Sequence, residues 1–346
     1  MQRRTFIQAS TLASAFAITA KAAPPKIKIG QIGLDHPHGR GKLSTILKQS
    51  DTYDFVGVVP ESPDKATGLG VPILESVEQL LNTPGLQAVA IETRVEELVN
   101  SALPCVKAGM HIHLDKPAGL SLPAFRALHA EAKTQGTTIQ MGYMFRYNPA
   151  FQLTYQAARE GWLGNLFEID GVISKFISDR DRKSLEHFHG GFMFELACHL
   201  VDSAVYLLGK PDKVTPFIRR SYPEKDQLAD NCLAVFEYPK ATTTIRTAAM
   251  EVDGGRRRQF VVCGDRGTAD IHPLEAPKMS LTLDRAQGAF RKGNQEVPGL
   301  KSTGRYDGEF TDLARVIRGE KKLAWTPAHD LAVHETVLRA SDMPID

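Results

Sequence analysis

Glu195, His199 and Asp202 stand at i, i+4 and i+7 within the stretch GGFMFELACHLVD, Gly190 to Asp202. On one continuous helix that spacing sets two carboxylates and an imidazole on the same face. The flanking Phe194, Leu196, Leu200 and Val201 would sink this face into a core. Ionisable groups are costly there unless they are partnered or put to use. A histidine beside carboxylates is the composition of a general-base unit; a structural hydrogen-bonded trio is the plainer alternative.

Two further sites carry chemistry-bearing types. In HIHLDKP, Lys116 follows a short apolar run, and a lysine at the carboxyl end of a parallel strand points into the ligand crevice. A surface lysine before Pro117 is the alternative. The first apolar run ends in IGLDHPHG, where a dinucleotide fold keeps its phosphate turn. Gly33 and Gly39 suit such a turn, but Asp35 and His38 replace its second and third glycines, with His36 between them. A carboxylate about 4 Å from a pyrophosphate charge costs on the order of 1–4 kcal/mol. Glu61 lies about where an acid binds the ribose 2′-hydroxyl, and it disfavours a 2′-phosphate, so NAD is expected over NADP.

These residues need a scaffold, and the pattern supplies one. Short β-branched runs at 26–32, 54–59, 86–92, 111–114 and 137–141 alternate with helical stretches at 42–49, 77–81, 96–108 and 122–134. That alternation predicts a doubly wound parallel sheet of Rossmann type over residues 26–146. From 147 to 346 the texture changes. A helix at 149–161 precedes strands at 167–174, 213–220, 232–238, 241–250, 259–263 and 268–272. They predict an α/β domain with a large, mainly antiparallel open sheet. One long helix is expected over 191–208, and terminal helices at 308–318 and 328–340 that pack back on the first domain.

Together these stretches resemble the glucose–fructose oxidoreductase/inositol dehydrogenase (Gfo/Idh/MocA) family. IGLDHPHG, HIHLDKPAG, GYMFRYNPAF, GGFMFELACHLVD and CGDRGTADIHP carry the resemblance, which covers nearly the whole chain after the first two dozen residues. It implies an NAD(P)-dependent enzyme that moves a hydride from a sugar or cyclitol hydroxyl to nicotinamide. Asp115-Lys116-Pro117 stands for the family's E-K-P. By the resemblance Lys116 bonds the reacting hydroxyl, His199 is the general base, and Glu195, where the family has Asp, orients His199. Tyr143, Arg146 and Asp202 are expected at the substrate. Gly33, Asp35, His36, His38, Gly39, Glu61, Thr93, Arg94, Asp115 and Lys116 are expected at the cofactor, with Arg94 offsetting Asp35 or meeting the pyrophosphate. Two other readings remain. In one, tightly bound NAD is recycled within each turnover to cleave a glycoside; in the other, a non-redox member holds a metal among Asp35, His36, His38, His111, His113 and Asp115. No metal site is expected on the leading reading.

Composition bounds the rest. Forty-two Lys and Arg against 40 Asp and Glu leave a formal net charge of +2, so no global field favours nucleic acid. Residues 1–23 pair Arg3-Arg4 with a short apolar run and Ala20-Lys21-Ala22, which resembles a twin-arginine export signal and predicts a periplasmic protein without a membrane anchor. Cys105, Cys198, Cys232 and Cys263 show no ligand spacing and are expected as free thiols. A homo-oligomer through the second sheet is expected from the resemblance.

Overall fold

A computed structural model describes residues 24–301 and 303–346. The expected export signal at 1–23 lies outside the described residues. Nine elements build the first unit: β1 (Ile27–Ile32), α1 (Gly39–Lys48), β2 (Tyr53–Val59), α2 (Val77–Leu81), β3 (Leu86–Ile91), α3 (Leu98–Lys107), β4 (His111–Leu114), α4 (Leu122–Gln135) and β5 (Ile139–Met141). The strands are parallel in the order β2-β1-β3-β4-β5. Strands buried on both faces read as near-continuous apolar runs, and β3 does so, whereas β4 buries His113 beside its apolar residues. Local chemistry sets the helix ends. Ser121 caps α4 by accepting the Ala124 amide at 3.2 Å, and Gly136 closes it in the left-handed region.

The second unit begins with α5 (Pro149–Arg159), capped by Asn148, and β6 (Leu166–Val172). Then come α6 (Asp179–Leu185), α7 (Gly191–Glu195) and α8 (Cys198–Leu208). The strands β7 (Lys213–Arg219), β8 (Asn231–Glu237), β9 (Thr242–Ala248), β10 (Gln259–Gly264), β11 (Gly267–Ile271), β12 (Met279–Leu283) and β13 (Gly293–Glu296) complete an eight-stranded sheet. Its order is β13-β12-β11-β10-β6-β9-β8-β7, antiparallel except where β6 meets β9. Alternation assigns its faces: Ile169, Ala234, Phe236, Ile245, Phe260 and Val262 are buried, while their neighbours along each strand are more exposed. The helices α9 (Asp307–Ile317) and α10 (Pro327–Ala340) end the chain.

The expected helix over 191–208 is two helices. The Ala197 amide donates to the Phe192 carbonyl, five residues back, at 3.2 Å, while Leu196 makes the ordinary four-residue bond to the same oxygen. One residue of widening rotates everything beyond it by about 100° relative to a continuous helix. The apolar pattern runs through this break unaltered, so periodicity alone does not reveal it. The sequence pattern also omits β12, β13 and α6, which are short, β13 and α6 being polar as well, and take their form from their neighbours.

The terminal helices join the units. Phe310, Leu313 and Ala314 of α9 pack on Ile27, Ile29, Ala88 and Ala90, and the Tyr53 hydroxyl donates to the Phe310 carbonyl at 2.6 Å. Meanwhile α10 lies against α8 and α7 of the second unit and α4 of the first.

Candidate active site

The carboxyl ends of β1, β3 and β4 face the second unit, where an open parallel sheet binds its ligands. After β1 the chain turns sharply at Gly33, with φ +89°; a Cβ there would lie 2.5 Å from the Thr93 amide nitrogen. Only glycine lets the turn press against the end of β3 in this way. The Leu34 and Asp35 amides both donate to the Glu61 carboxylate, at 2.9–3.1 Å. Glu61 therefore caps the turn rather than standing free for a ribose, as its position after β2 suggested. An anion held by two turn amides marks the place where phosphate binds in such folds, so the donor set fits a dinucleotide. Loading requires Glu61 to turn away. Gly39 opens α1 beside this turn. The Asp35 carboxylate pairs with Lys65 at 2.7 Å and not with Arg94, the first of the two roles open to Arg94. Arg94 instead lines a cavity of about 470 Å³, with Asp35, His36, Lys65, Arg180 and Glu195. Thr93 is buried behind it.

At the ends of β3 and β4 the interior is charged. Lys42, from the inner face of α1, lies 3.0 Å from Asp115 Oδ2 and 3.3 Å from Glu92 Oε1. Burial and the Asp115 charge raise the Glu92 carboxyl well above its ordinary range, although Lys42 opposes the shift. Burial also works against Asp115, yet His36, Lys42 and His38 hold it well below that range. Two carboxyls thus share one ammonium, with Asp115 the ionised partner. Lys42 escaped the sequence reading, although its place among Gly39, Leu43 and Ile46 on the buried stripe of α1 signals an inward lysine.

Lys116, next after Asp115, reaches into the second unit. Its Nζ donates to the Glu195 carbonyl at 2.8 Å and to Glu195 Oε1 at 2.9 Å. Glu195 does not orient His199; the wide turn at Ala197 separates them. The expected one-face trio is corrected at its other end too. Asp202 accepts a bidentate pair of bonds from Arg146, at 2.7 and 3.0 Å, and another contact from His329 at 3.0 Å. Arg146 also donates to Asp330 at 2.6 Å. Both were expected at substrate, but both are buried and paired, binding α8 and α10 to the turn after β5. Arg146 keeps one nitrogen, Nη1, unpartnered. His329 and Asp330 carry no motif that sequence could reveal.

His199 lies in the first turn of α8, under the edges of Tyr143 and Phe145, with ring centroids 5.9 and 5.4 Å away. Burial, then the Lys116 charge, push its imidazole well below the ordinary histidine range, so it is neutral at pH 7. Its Nδ1 is buried and unpartnered, as is Glu195 Oε2. A second cavity of about 480 Å³ is lined by Phe145, Tyr147, Glu275 and Arg305. The site can therefore offer a fixed ammonium as donor and a neutral imidazole as acceptor, with polar atoms awaiting a ligand.

Comparison with known proteins agrees with this construction. Residues 27–143 match a family described as an oxidoreductase family with an NAD-binding Rossmann fold. Residues 151–270 match the GFO/IDH/MocA C-terminal domain. The uncharacterized oxidoreductase YdgJ of Escherichia coli (strain K12) is 27% identical over 223 residues, and the match spans 64% of each chain. The scyllo-inositol 2-dehydrogenase (NADP(+)) IolW of Bacillus subtilis (strain 168) is 21% identical over 303 residues, covering 86% of this chain and 80% of that one. Among solved structures, the UDP-N-acetylglucosamine 3-dehydrogenase GnnA from Acidithiobacillus ferrooxidans superposes with a TM-score of 0.76 at 18% identity, over 92% of this chain and 98% of that one. At that identity the likeness is one of fold.

Proposed function

Because the chain belongs to the GFO/IDH/MocA oxidoreductase family, we propose that it is an NAD-dependent dehydrogenase acting on a secondary hydroxyl of a sugar or cyclitol. One observation carries this reading. Two units bring a buried, protonated Lys116 and a buried, neutral His199 to one place, and leave His199 Nδ1 without a partner. Bound NAD supplies the hydride acceptor. The Leu34 and Asp35 amides, the start of α1 at Gly39, and Arg94 would hold its phosphates.

The chain's own residues divide the remaining work. Burial disfavours the Lys116 ammonium, but Glu195 raises its pKa above the ordinary lysine range, so it donates a hydrogen bond and does not act as base. It steadies the substrate oxygen as negative charge grows there. His199, neutral and unpartnered, takes the hydroxyl proton. Tyr143 and Phe145 wall the imidazole from water, which keeps that proton transfer inside the site. The inositol and UDP-sugar dehydrogenases among the relatives support a polyhydroxylated substrate.

The test is direct. Protein purified without added nucleotide is assayed by mass spectrometry for bound NAD(H), then for turnover on a panel of sugars and cyclitols. His199→Ala and Lys116→Met are each expected to cut kcat by about 10²–10⁴ while the fold persists. Full turnover in either variant removes that residue from the mechanism. Protein that neither carries nor binds NAD(H) or NADP(H) overturns the reading as a whole.

A further inference from the structure

Beside the dehydrogenase machinery, three ligand-type atoms converge at the end of the first sheet. Nδ1 of His36 and Nδ1 of His38 lie 2.9 and 3.1 Å from a single atom, Asp115 Oδ2. All three lie within 4.8 Å of one another. Atoms sharing one tetrahedral cation at bonds of about 2.0–2.1 Å sit about 3.3 Å apart, so the two distances from Asp115 are close to those of a coordination sphere.

The hydrogen bonds around the three groups strengthen the case. His36 Nε2 is 3.2 Å from the Lys116 carbonyl oxygen, which can only accept, so Nε2 carries the ring proton. If the ring is neutral, its Nδ1 lone pair faces a carboxylate oxygen 2.9 Å away. Such a contact requires either a second ring proton or a cation between the two atoms. The His38 amide also reaches this Nδ1, at 3.3 Å. Asp115 is held similarly from behind: its Oδ1 accepts the Lys116 amide at 2.6 Å, which leaves Oδ2 aimed at the histidines. An imidazole whose far N–H meets a carbonyl, and a carboxylate whose far oxygen is bonded, are the outer supports that metal ligands use.

We propose that His36, His38 and Asp115 form a site for one divalent transition-metal cation of the zinc type, with a fourth position open toward the cleft. Two imidazoles and one carboxylate suit zinc, cobalt or iron(II) and not the harder magnesium or calcium. An entry path exists: the His38 side chain is 13% exposed, and the cavity lined by Asp35, Arg94 and Glu195 reaches His36. The structure narrows the wider set that sequence allowed. His113 bonds Gln140 at 2.9 Å and His111 accepts the Thr138 amide at 3.2 Å, while Asp35 is taken by Lys65. Lys42 is the competitor. Its ammonium lies 3.0 Å from the same Asp115 oxygen and 3.3 Å from Glu92, so an arriving cation displaces it toward Glu92.

The experiment uses the full chain without nucleotide, so its result is independent of the dehydrogenase reading. Chelator-stripped protein is dialysed against Co²⁺ or Zn²⁺ alone, the metal is counted by mass spectrometry, and the Co²⁺ form is examined for visible d–d absorption. Close to one equivalent with d–d bands is expected. His38→Ala is expected to weaken binding by at least about tenfold. Lys42→Met, which removes the competing ammonium, is expected to tighten it, and a metal-dependent rise in Tm for that variant shows that it folds. Wild-type protein that retains almost no metal overturns the site, as does unchanged binding by a folded His38→Ala.

Discussion

Lys116 and Glu195 keep each other charged in a place that favours neither charge. Burial would raise the Glu195 carboxyl, but the Lys116 ammonium, with Lys175 behind it, holds it down at about 2. The ordinary carboxyl value is 4.5, so the pair contributes stability that is complete above 4.5 and lost as pH falls toward 2. Glu195→Gln leaves the buried ammonium unpaired and is expected to cost about 3 kcal/mol at pH 7. It should also flatten the acid limb of the stability curve between those values. Urea denaturation at pH 7 and at pH 3 checks both; an acid limb as steep as in the wild type rules out this pair as its source. At the same scale, chemistry was legible as residue type and less so as partnership. Lys116, His199 and Glu195 stand out in the sequence as candidates for the reacting set, yet the partner of Glu195 is Lys116 and not His199. Asp35 pairs with Lys65, a partner its spacing does not suggest. Partners more than a turn away depend on how elements cross, which residue spacing does not encode.

The element that decides this pairing is the wide turn between α7 and α8. It starts from Gly191, whose φ of +47° places it in the left-handed region, where a Cβ would lie 2.3 Å from the Ala229 carbonyl oxygen. Gly191→Ala is expected to destabilise the protein by about 1–3 kcal/mol through this strain. It should also shift α7, loosening Glu195 from Lys116 and lowering turnover more than a surface substitution of equal cost. Paired urea and activity measurements test it; stability within about 0.5 kcal/mol of the wild type would show that α7 adapts freely. Most other elements were readable. Strands such as His111–Leu114 and helices such as Val77–Leu81 fall where the sequence pattern places them, because apolar period and capping residues act locally. β12, β13 and α6 were not, since each draws its stability from the strand or helix beside it.

At the scale of the molecule, the two units meet across a seam of buried polar groups. The Arg146–Asp202–Asp330 network and the α4–α10 contact lie along it. In that contact His129 and His334 pack edgewise on Phe125, at 4.5 and 5.3 Å between ring centroids. Burial lowers His129 to about 4 and His334 to about 3, and neither nitrogen of His334 has a hydrogen-bond partner. Both rings are neutral when folded and take up protons on unfolding at acid pH. Their contribution is complete above the ordinary 6.5 and is lost as pH falls toward 4 and 3, by up to about 1.4 kcal/mol per group per pH unit. Thermal melts from pH 7.5 to 5 should therefore show a falling Tm, and the double variant His129→Leu, His334→Leu should fall less. Parallel curves would place the acid sensitivity elsewhere. By itself the sequence determined the α/β plan and the parallel and mainly antiparallel sheets, and it put forward the turn at Gly33 and the Lys116 and His199 stretches as candidates. All of these follow from local period, turn chemistry and residue type. Only the tertiary structure decided that Glu61 caps the turn, that Lys42 and Asp115 share a buried charge, and that Arg146 and Asp202 stitch the seam. The reason is physical: a buried charge must find its counter-charge wherever the packing brings one, and packing is a property of the whole chain.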